Sequence, residues 1–259
     1  MVGAVPYLHL LQVLAWNGAS VIKKFPLGNS ASCGRTPVRR MHLDTVETYL
    51  RGVAFSSTSI AGRIIEERRR LPRRDHGLRP WLVVWACSAN AGDERDALPV
   101  AAAFDLFDRF MALHRELAGD ALASSWGLGQ NLNAGDALCA VAFRTLASDV
   151  RNAQRRLEAA RTVGTAILEA IERSDDAGEN EALTGAAMEA GAIVGGAARP
   201  VARRFARAGR VLGCALSNTD PARSQTLLSE ARAHVRAISA PEAAQAFDEV
   251  AFRVAQRAA

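Results

Sequence analysis

Residues 126–138, which read Trp-Gly-Leu-Gly-Gln-Asn-Leu-Asn-Ala-Gly-Asp-Ala-Leu, lead into the clearest helical pattern of the chain. A helix is predicted from about Gln130 to Leu146. One of its stripes carries residues spaced at i, i+4, i+7 and i+11: Ala134, Leu138, Val141 and Thr145. These mostly small and apolar side chains permit close helix packing. We expect them to face a dimer partner, with the chain's own core as the alternative.

The same helical periodicity extends in both directions from this segment. Pro80 suits the first turn of a helix, and Pro99 is predicted to begin a long apolar helix that reaches His114. Residues 174–180 are predicted to form a polar loop. Further helices are expected over residues 150–171, 181–197, 200–216, 223–238 and 241–257. Alternation of period two between turns is absent. The sequence therefore predicts an all-α, single-domain helical bundle.

The composition changes sharply near residue 41. The 259-residue chain is 49% hydrophobic, yet its only two lysines are Lys23 and Lys24. Residues 1–40 carry five cations and no acid, whereas residues 41–259 carry 27 arginines and 27 acids. We predict that residues 1–40 are a dispensable, poorly ordered basic extension and that 41–259 form the helical domain. A targeting peptide is the alternative.

The neutral charge of residues 41–259 argues against nucleic acid as the main partner, because phosphate binding needs a concentrated cationic surface. The four cysteines are far apart and lack metal-ligand spacing. We infer a reducing compartment and expect a cytoplasmic protein. No apolar run approaches the roughly 18–20 residues that span a bilayer, so no membrane span is expected.

Several segments resemble, in their order, the trans-isoprenyl diphosphate synthases, or polyprenyl synthetase family. The most specific is the segment quoted above, with its continuation into Ala142-Phe143. The others are Leu78–Val84, Leu98–Phe107, Gly191–Ala197 and Arg204–Gly213. The resemblance covers roughly residues 45–257 with gaps. It implies the all-helical fold of that family and a place in isoprenoid metabolism.

The family's chemistry, as the resemblance implies it, needs two Asp-rich motifs that hold Mg²⁺ against a diphosphate. At the first motif this chain reads Arg115-Glu116-Leu117-Ala118-Gly119, so an arginine replaces the leading Asp. Asp120 lies one residue late. The second motif reads Asp220-Pro221-Ala222-Arg223-Ser224. The remnant metal ligands are therefore Glu116 and Asp220, although Asp220 before Pro221 also suits a helix N-cap.

The site for the second diphosphate is similarly reduced. The resemblance aligns the family's lysine with His76 and its histidine with Asp108, and only Arg79 matches as a substrate-binding residue. No residue is assigned as catalytic, and a cofactor, Mg²⁺, is expected only if the protein is active.

Three functions remain open, and so does the question of whether the chain is an enzyme. The first is a non-catalytic homologue, a homodimer or a heterodimer with an active prenyl diphosphate synthase. The second is an active prenyltransferase or terpene cyclase with a rebuilt site. The third is a carrier that binds an isoprenoid or isoprenoid diphosphate without chemistry. We favour the first, because metal and phosphate ligands are lost at several separate places while the apolar helices remain.

Overall fold

The computed structural model describes residues 38–53, 62–63, 65–66, 77–118, 127–173 and 175–258. Regular structure in these ranges is α-helical, so the predicted all-α class is confirmed. The helices are α1 (Val38–Gly52), α2 (Leu78–Ala89), α3 (Glu94–Ala118), α4 (Leu128–Asp149), α5 (Ala153–Arg173), α6 (Asp176–Val194), α7 (Arg199–Ser217), α8 (Pro221–Arg236) and α9 (Pro241–Ala258). The predicted basic extension lies outside the described residues, apart from its last three, which begin α1.

Helix α6 lies at the centre of the bundle and packs against α7, α5 and α2. Most of its side chains are buried, and many of them are alanine. Helix α7 approaches it closely because α7 carries glycine at the contact. A Cβ atom at Gly213 would lie 2.3 Å from the backbone oxygen of Asn180 and 2.8 Å from the Cα atom of Glu181. This contact fixes the end of α7 beside the start of α6.

Helix α4 packs along α3. A Cβ atom at Gly135 would lie 2.4 Å from the Cε1 atom of His114, so glycine is needed where the imidazole lies against α4. The predicted dimer stripe faces this core: Ala134 and Leu138 are 0% exposed, Val141 is 6% exposed and Thr145 is 3% exposed. The prediction that this stripe forms a dimer contact is therefore wrong, because the chain's own bundle buries it.

Helix α2 begins after Gly77, whose positive φ of 73° is unfavourable for other residues. Pro80 lies in the first turn, as predicted. The indole of Trp85 packs against the rings of Phe205 and Phe247, and its Nε1 donates to the backbone oxygen of Ala243 at 2.9 Å. This ring cluster joins α2 to α7 and α9.

Two predicted boundaries are wrong. Helix α3 begins at Glu94 rather than at Pro99. The positive end of the helix dipole favours this start, because the first turn carries the acids Glu94 and Asp96. Residues 176–180 belong to α6 rather than to a loop, because Asp175 caps the helix by accepting a hydrogen bond from the Gly178 backbone nitrogen.

No described helix combines the length and the apolar character that a bilayer crossing requires.

Candidate functional site

A cluster of charged and polar side chains forms where four helix ends meet. The first turn of α2 supplies Arg79, and the C-terminal half of α3 supplies Asp108 and Arg115. The first turn and a half of α6 supplies Asp176, Glu179 and Asn180, and the last residue of α7 is Ser217. The Nδ2 atom of Asn180 donates to the Oγ atom of Ser217 at 2.7 Å, which ties α6 to α7. These residues are called the charged cluster below.

Arg79 is the most buried cation of the charged cluster, with 4% of its surface exposed. Its Nη1 atom donates to Oδ1 of Asp108. Its Nη2 atom donates to Oδ1 of Asn180 at 2.6 Å and lies 3.7 Å from Oε1 of Glu179. The two terminal nitrogens of this guanidinium group are thus both engaged by oxygens of α3 and α6.

Arg115 makes the second ion pair of the charged cluster. Its Nη1 atom donates to Oε2 of Glu179 and lies 3.8 Å from Oδ1 of Asp176. The side chain of Glu179 is only 8% exposed, whereas that of Arg115 is 33% exposed. A buried carboxylate needs such a partner, because desolvation without compensation is costly. Glu179 therefore contacts both arginines and joins the two pairs.

The charged cluster does not fit a magnesium diphosphate. Its two guanidinium groups face three carboxylates, so its own charges leave no cationic surplus for a diphosphate. Mg²⁺ prefers an octahedron of oxygens, and a guanidinium group within the cluster repels a metal ion. In the part of the chain that the structure describes, no group of three or more His, Cys, Asp or Glu side chains is placed to hold a metal.

Known proteins share both sequence and fold with this chain. The (2E,6E)-farnesyl diphosphate synthase of Mycobacterium tuberculosis is 28% identical over an alignment of 212 positions. That alignment covers 71% of this chain and 58% of the mycobacterial protein, so the chain matches little more than half of its curated relative. No family model matches the chain. In sequence and in fold, the chain is similar to trans-isoprenyl diphosphate synthases.

Solved structures of prenyl synthases share the fold. The geranylgeranyl pyrophosphate synthetase of Geoglobus acetivorans superposes with a TM-score of 0.75 and 13% identity, over 85% of this chain and 100% of that one. The geranyl diphosphate synthase small subunit of Antirrhinum majus has a TM-score of 0.66 at 18% identity, over 83% and 97% of the two chains. A mint heterotetrameric geranyl pyrophosphate synthase has a TM-score of 0.70 at 16% identity, over 83% and 99%. The curated relative and these structural neighbours are all named as prenyl diphosphate synthases or as subunits of one.

The sequence-predicted residues of this chain do not come together in one site. Arg79 lies in the charged cluster. Glu116 is exposed on α3, one residue beyond Arg115. Asp220 is exposed and is the N-cap of α8, where its Oδ1 accepts from the Ala222 backbone nitrogen at 3.0 Å. The alternative reading of Asp220 as a helix cap is thus confirmed. His76 and Asp120 lie outside the described residues.

Sequence reasoning missed three members of the charged cluster: Asp176, Glu179 and Asn180. They fall in the stretch predicted to be a loop. A signal was present, because Asp175 can cap a helix and Asp176 and Glu179 can follow it as acids of the first turn. Reading that signal would have extended α6 backward and placed Glu179 one turn into the helix.

Proposed function

We propose that this chain is a non-catalytic member of the trans-isoprenyl diphosphate synthase family that pairs with an active prenyl diphosphate synthase in the cytoplasm. The observation that carries the proposal is the ion pair between Arg115 and Glu179. By the resemblance, Arg115 occupies the leading metal-ligand position of the first Asp-rich motif. A cation fixed there by a buried carboxylate opposes the role that the position has in an active synthase.

Loss of the metal positions removes the main source of catalysis in this chemistry. Ionisation of an allylic diphosphate requires neutralisation of the leaving group, and preorganised charge does most of that work. Removal of one such group costs on the order of 10²–10³ in rate. The two motifs retain only Glu116 and Asp220 as acids, and Asp220 serves as a helix cap.

Arg79 supports the same proposal, although it matches a substrate-binding residue of the family. Its terminal nitrogens bind Asp108 and Asn180 inside the protein. A diphosphate that recruited Arg79 would have to displace Asp108, whose carboxylate would then repel the incoming phosphate oxygens. The arginine is better suited to holding α2, α3 and α6 together than to binding a substrate.

A partner surface is available on α4 and α5. Among residues 45–53, 77–117, 127–173 and 175–249, the exposed large apolar side chains lie on these two helices: Leu128, Leu132, Leu157, Leu168 and Ile171. Leu157, Leu168 and Ile171 fall on one stripe of α5, at i, i+11 and i+14. Leu128 and Leu132 lie in the first two turns of α4. Clustered exposed apolar groups favour an interface.

The heteromeric form of that interface is suggested by two of the structural relatives. One is a small subunit of a geranyl diphosphate synthase, and the other is a heterotetrameric synthase. Their names describe those two proteins. At such low sequence identity, their similarity to this chain concerns the fold alone. They nevertheless make an active synthase the first partner to test, ahead of a second copy of this chain.

Activity is tested with purified full-length protein, Mg²⁺, isopentenyl diphosphate and a series of allylic diphosphates, with product analysis. We expect turnover at least about 10²-fold below that of an active family member assayed in parallel. Turnover within about tenfold of that enzyme would reject the proposal and favour a prenyltransferase or cyclase with a rebuilt site. Bound isoprenoid without turnover would favour a carrier.

Pairing is tested by co-expression with each active prenyl diphosphate synthase encoded in the same genome, followed by light scattering on a sizing column. We expect a complex that contains both chains in a fixed ratio and that survives dilution. The control is the same chain with Leu168→Arg, which places a charge in the exposed apolar stripe. A complex unaffected by that change would place the contact elsewhere, and no complex with any such synthase would reject the partner role.

A further inference from the structure

A groove of about 260 Å³ lies between α5 and α7, with α6 as its floor. Its floor is lined by small residues, including Gly185, where a Cβ atom would lie 2.6 Å from the Cγ atom of Arg210. None of its lining residues belongs to the charged cluster, which lies at the helix ends. The groove is therefore a separate concavity that the proposed function leaves unused.

Cations from two helices line this groove. Arg161 of α5 and Arg199 of α7 are exposed, and Arg210 of α7 is partly exposed. Arg161 and Arg199 make no side-chain hydrogen bond or ion pair with any other residue that the structure describes. The hydroxyl of Thr165, an exposed residue of α5 that also lines the groove, adds a neutral donor. The guanidinium groups of Arg161 and Arg199 and this hydroxyl can each donate to a ligand in the groove.

Two carboxylates also line the groove, and they set its net charge. Glu169 is held by Arg210, whose Nη2 and Nη1 atoms donate to its two oxygens at 2.5 and 2.8 Å. Glu189 is half-buried, and Arg203, Arg210 and Arg199 all stabilise its charge. Burial nevertheless raises the pKa of Glu189 above its ordinary value. With Glu169 paired with Arg210, Arg161 and Arg199 outnumber Glu189, the other carboxylate of the lining.

Charge separation within the protein supports an anionic occupant. Helix α7 has five arginines and no acidic residue, although residues 41–259 as a whole are neutral. Arg199, Arg203, Arg204 and Arg207 are all exposed. A cationic face on a neutral body attracts anions, and guanidinium groups match the geometry of phosphate oxygens.

We propose that the groove between α5 and α7 binds a phosphate or diphosphate group through Arg161, Arg199 and the Thr165 hydroxyl. The volume supports a headgroup rather than a whole isoprenoid, because pockets for drug-sized ligands span about 300–1,000 Å³. The group belongs either to a free phosphate ester or to an anionic lipid at a membrane surface. The two sources share the same recognition chemistry.

The test is calorimetry with inorganic pyrophosphate and sedimentation with phosphatidylcholine vesicles that do or do not contain phosphatidic acid. We expect Arg161→Gln and Arg199→Gln each to weaken binding about five- to tenfold, since each removes charge-assisted hydrogen bonds. Glu189→Gln should strengthen binding. Arg51→Gln is the matched control, because Arg51 is an exposed arginine of α1 outside the groove.

The outcomes separate the sources and the sites. Arginine-dependent binding of pyrophosphate alone assigns a free phosphate, and arginine-dependent binding of phosphatidic acid vesicles alone assigns a lipid headgroup. Equal effects of Arg51→Gln and Arg199→Gln, or no binding of either probe, would overturn the proposal. Pyrophosphate binding that Arg115→Gln abolishes and Arg199→Gln spares would place the anion in the charged cluster. That result would overturn the proposed groove site and count against the proposed non-catalytic function. Substrate turnover without that result would count only against the proposed function.

Discussion

Arg115 and Glu179 form an ion pair that joins the last turn of α3 to the first turn of α6. The carboxylate is nearly inaccessible to water and the guanidinium group is one-third exposed. Removal of the arginine leaves a buried negative charge with only Arg79 nearby, at 3.7 Å. Removal of the carboxylate leaves a cation that can turn toward solvent or Asp176. The two deletions should therefore have unequal costs.

The first prediction is a double-mutant cycle on this pair. Arg115→Gln should lower the free energy of unfolding by about 1–3 kcal/mol, because it leaves Glu179 less compensated. Glu179→Gln should cost less than that, and the double variant should recover most of the loss of Arg115→Gln. Urea denaturation of the four proteins gives the coupling energy, which should exceed about 0.5 kcal/mol. Additive effects would mean that the two side chains have no measurable coupling energy and that the ion pair does not stabilise the protein.

The second prediction concerns metal affinity. Arg115→Asp would place a third carboxylate beside Asp176 and Glu179, and clustered carboxylates repel one another unless a cation joins them. We expect the variant to be less stable without metal and to gain melting temperature with added Mg²⁺, whereas the unmodified protein should show no such gain. Arg115→Gln is the control, since it removes the cation without adding an acid. The combination with Gly119→Asp, which restores a second motif position, should strengthen the response.

A melting temperature of Arg115→Asp that is indifferent to Mg²⁺, in a variant that is still helical by circular dichroism, would contradict the placement of these three side chains. A response of the unmodified protein to Mg²⁺ would contradict the absence of a metal site in the charged cluster.

The third prediction separates a structural from a substrate-binding role for Arg79. Its substitution by Gln removes the ion pair with Asp108 inside the bundle, so we expect a loss of about 3–5 kcal/mol. Arg109→Gln is the matched control. The Nε atom of Arg109 lies 2.8 Å from Oδ2 of the buried Asp105, and both residues belong to α3 outside the charged cluster. Equal losses in thermal or urea unfolding support a structural role. A neutral or stabilising effect of Arg79→Gln would indicate a residue kept for ligand binding.

The fold followed from the sequence because helical periodicity is local and redundant. Pro80 and the apolar run after it indicate the first turn of α2, and Pro241 marks the start of α9. The stripe of α4 was predicted to face a dimer partner, because periodicity shows that a face is apolar but cannot tell which helix covers it. The structure shows that the covering helices belong to the same chain.

The candidate site was less predictable for a related reason. Arg79 and Arg115 were identified from the resemblance, but their partners Glu179 and Asn180 lie 64 or more residues away along the chain. Such pairing depends on how α2, α3, α6 and α7 converge, which no local pattern encodes. Because residues 174–180 were predicted to form a loop, the first turns of α6, which carry Glu179 and Asn180, were not predicted.

The fourth prediction is a loss of stability in acid. Hydrogen bonds from Arg210 lower the pKa of Glu169 below its ordinary value. Burial would raise the pKa of Glu181, but hydrogen bonds from Arg173 and Arg210 outweigh it and lower that pKa as well. Groups with depressed folded-state pKa values stabilise the protein above their ordinary pKa of about 4.5, and this stability is lost as the pH falls through the folded-state values.

Urea midpoints should therefore fall as the pH is lowered below about 4.5. Arg210→Gln should flatten this dependence, because both carboxylates then titrate closer to their ordinary range. Arg236→Gln is the control for loss of an exposed arginine that pairs with another acid, Asp248. An acid dependence unchanged by Arg210→Gln would mean that Glu169 and Glu181 do not contribute to it.

The last prediction distinguishes the buried stripe of α4 from the exposed leucines. Val141 is 6% exposed in the core, so Val141→Arg should unfold the protein or greatly reduce its melting temperature. Leu132 and Leu168 are 38% and 62% exposed, and a charge there costs little stability in a free chain. If these leucines form an interface, Leu132→Arg and Leu168→Arg should remain helical and lose association with the partner synthase or with a second copy.

Ala147→Arg, an exposed change at the far end of α4, controls for added charge. Light scattering and circular dichroism on the same samples decide the matter. A folded, still-associated Leu168→Arg protein would remove the leucines from the interface, and a folded monomer of Val141→Arg would return the interface to the stripe.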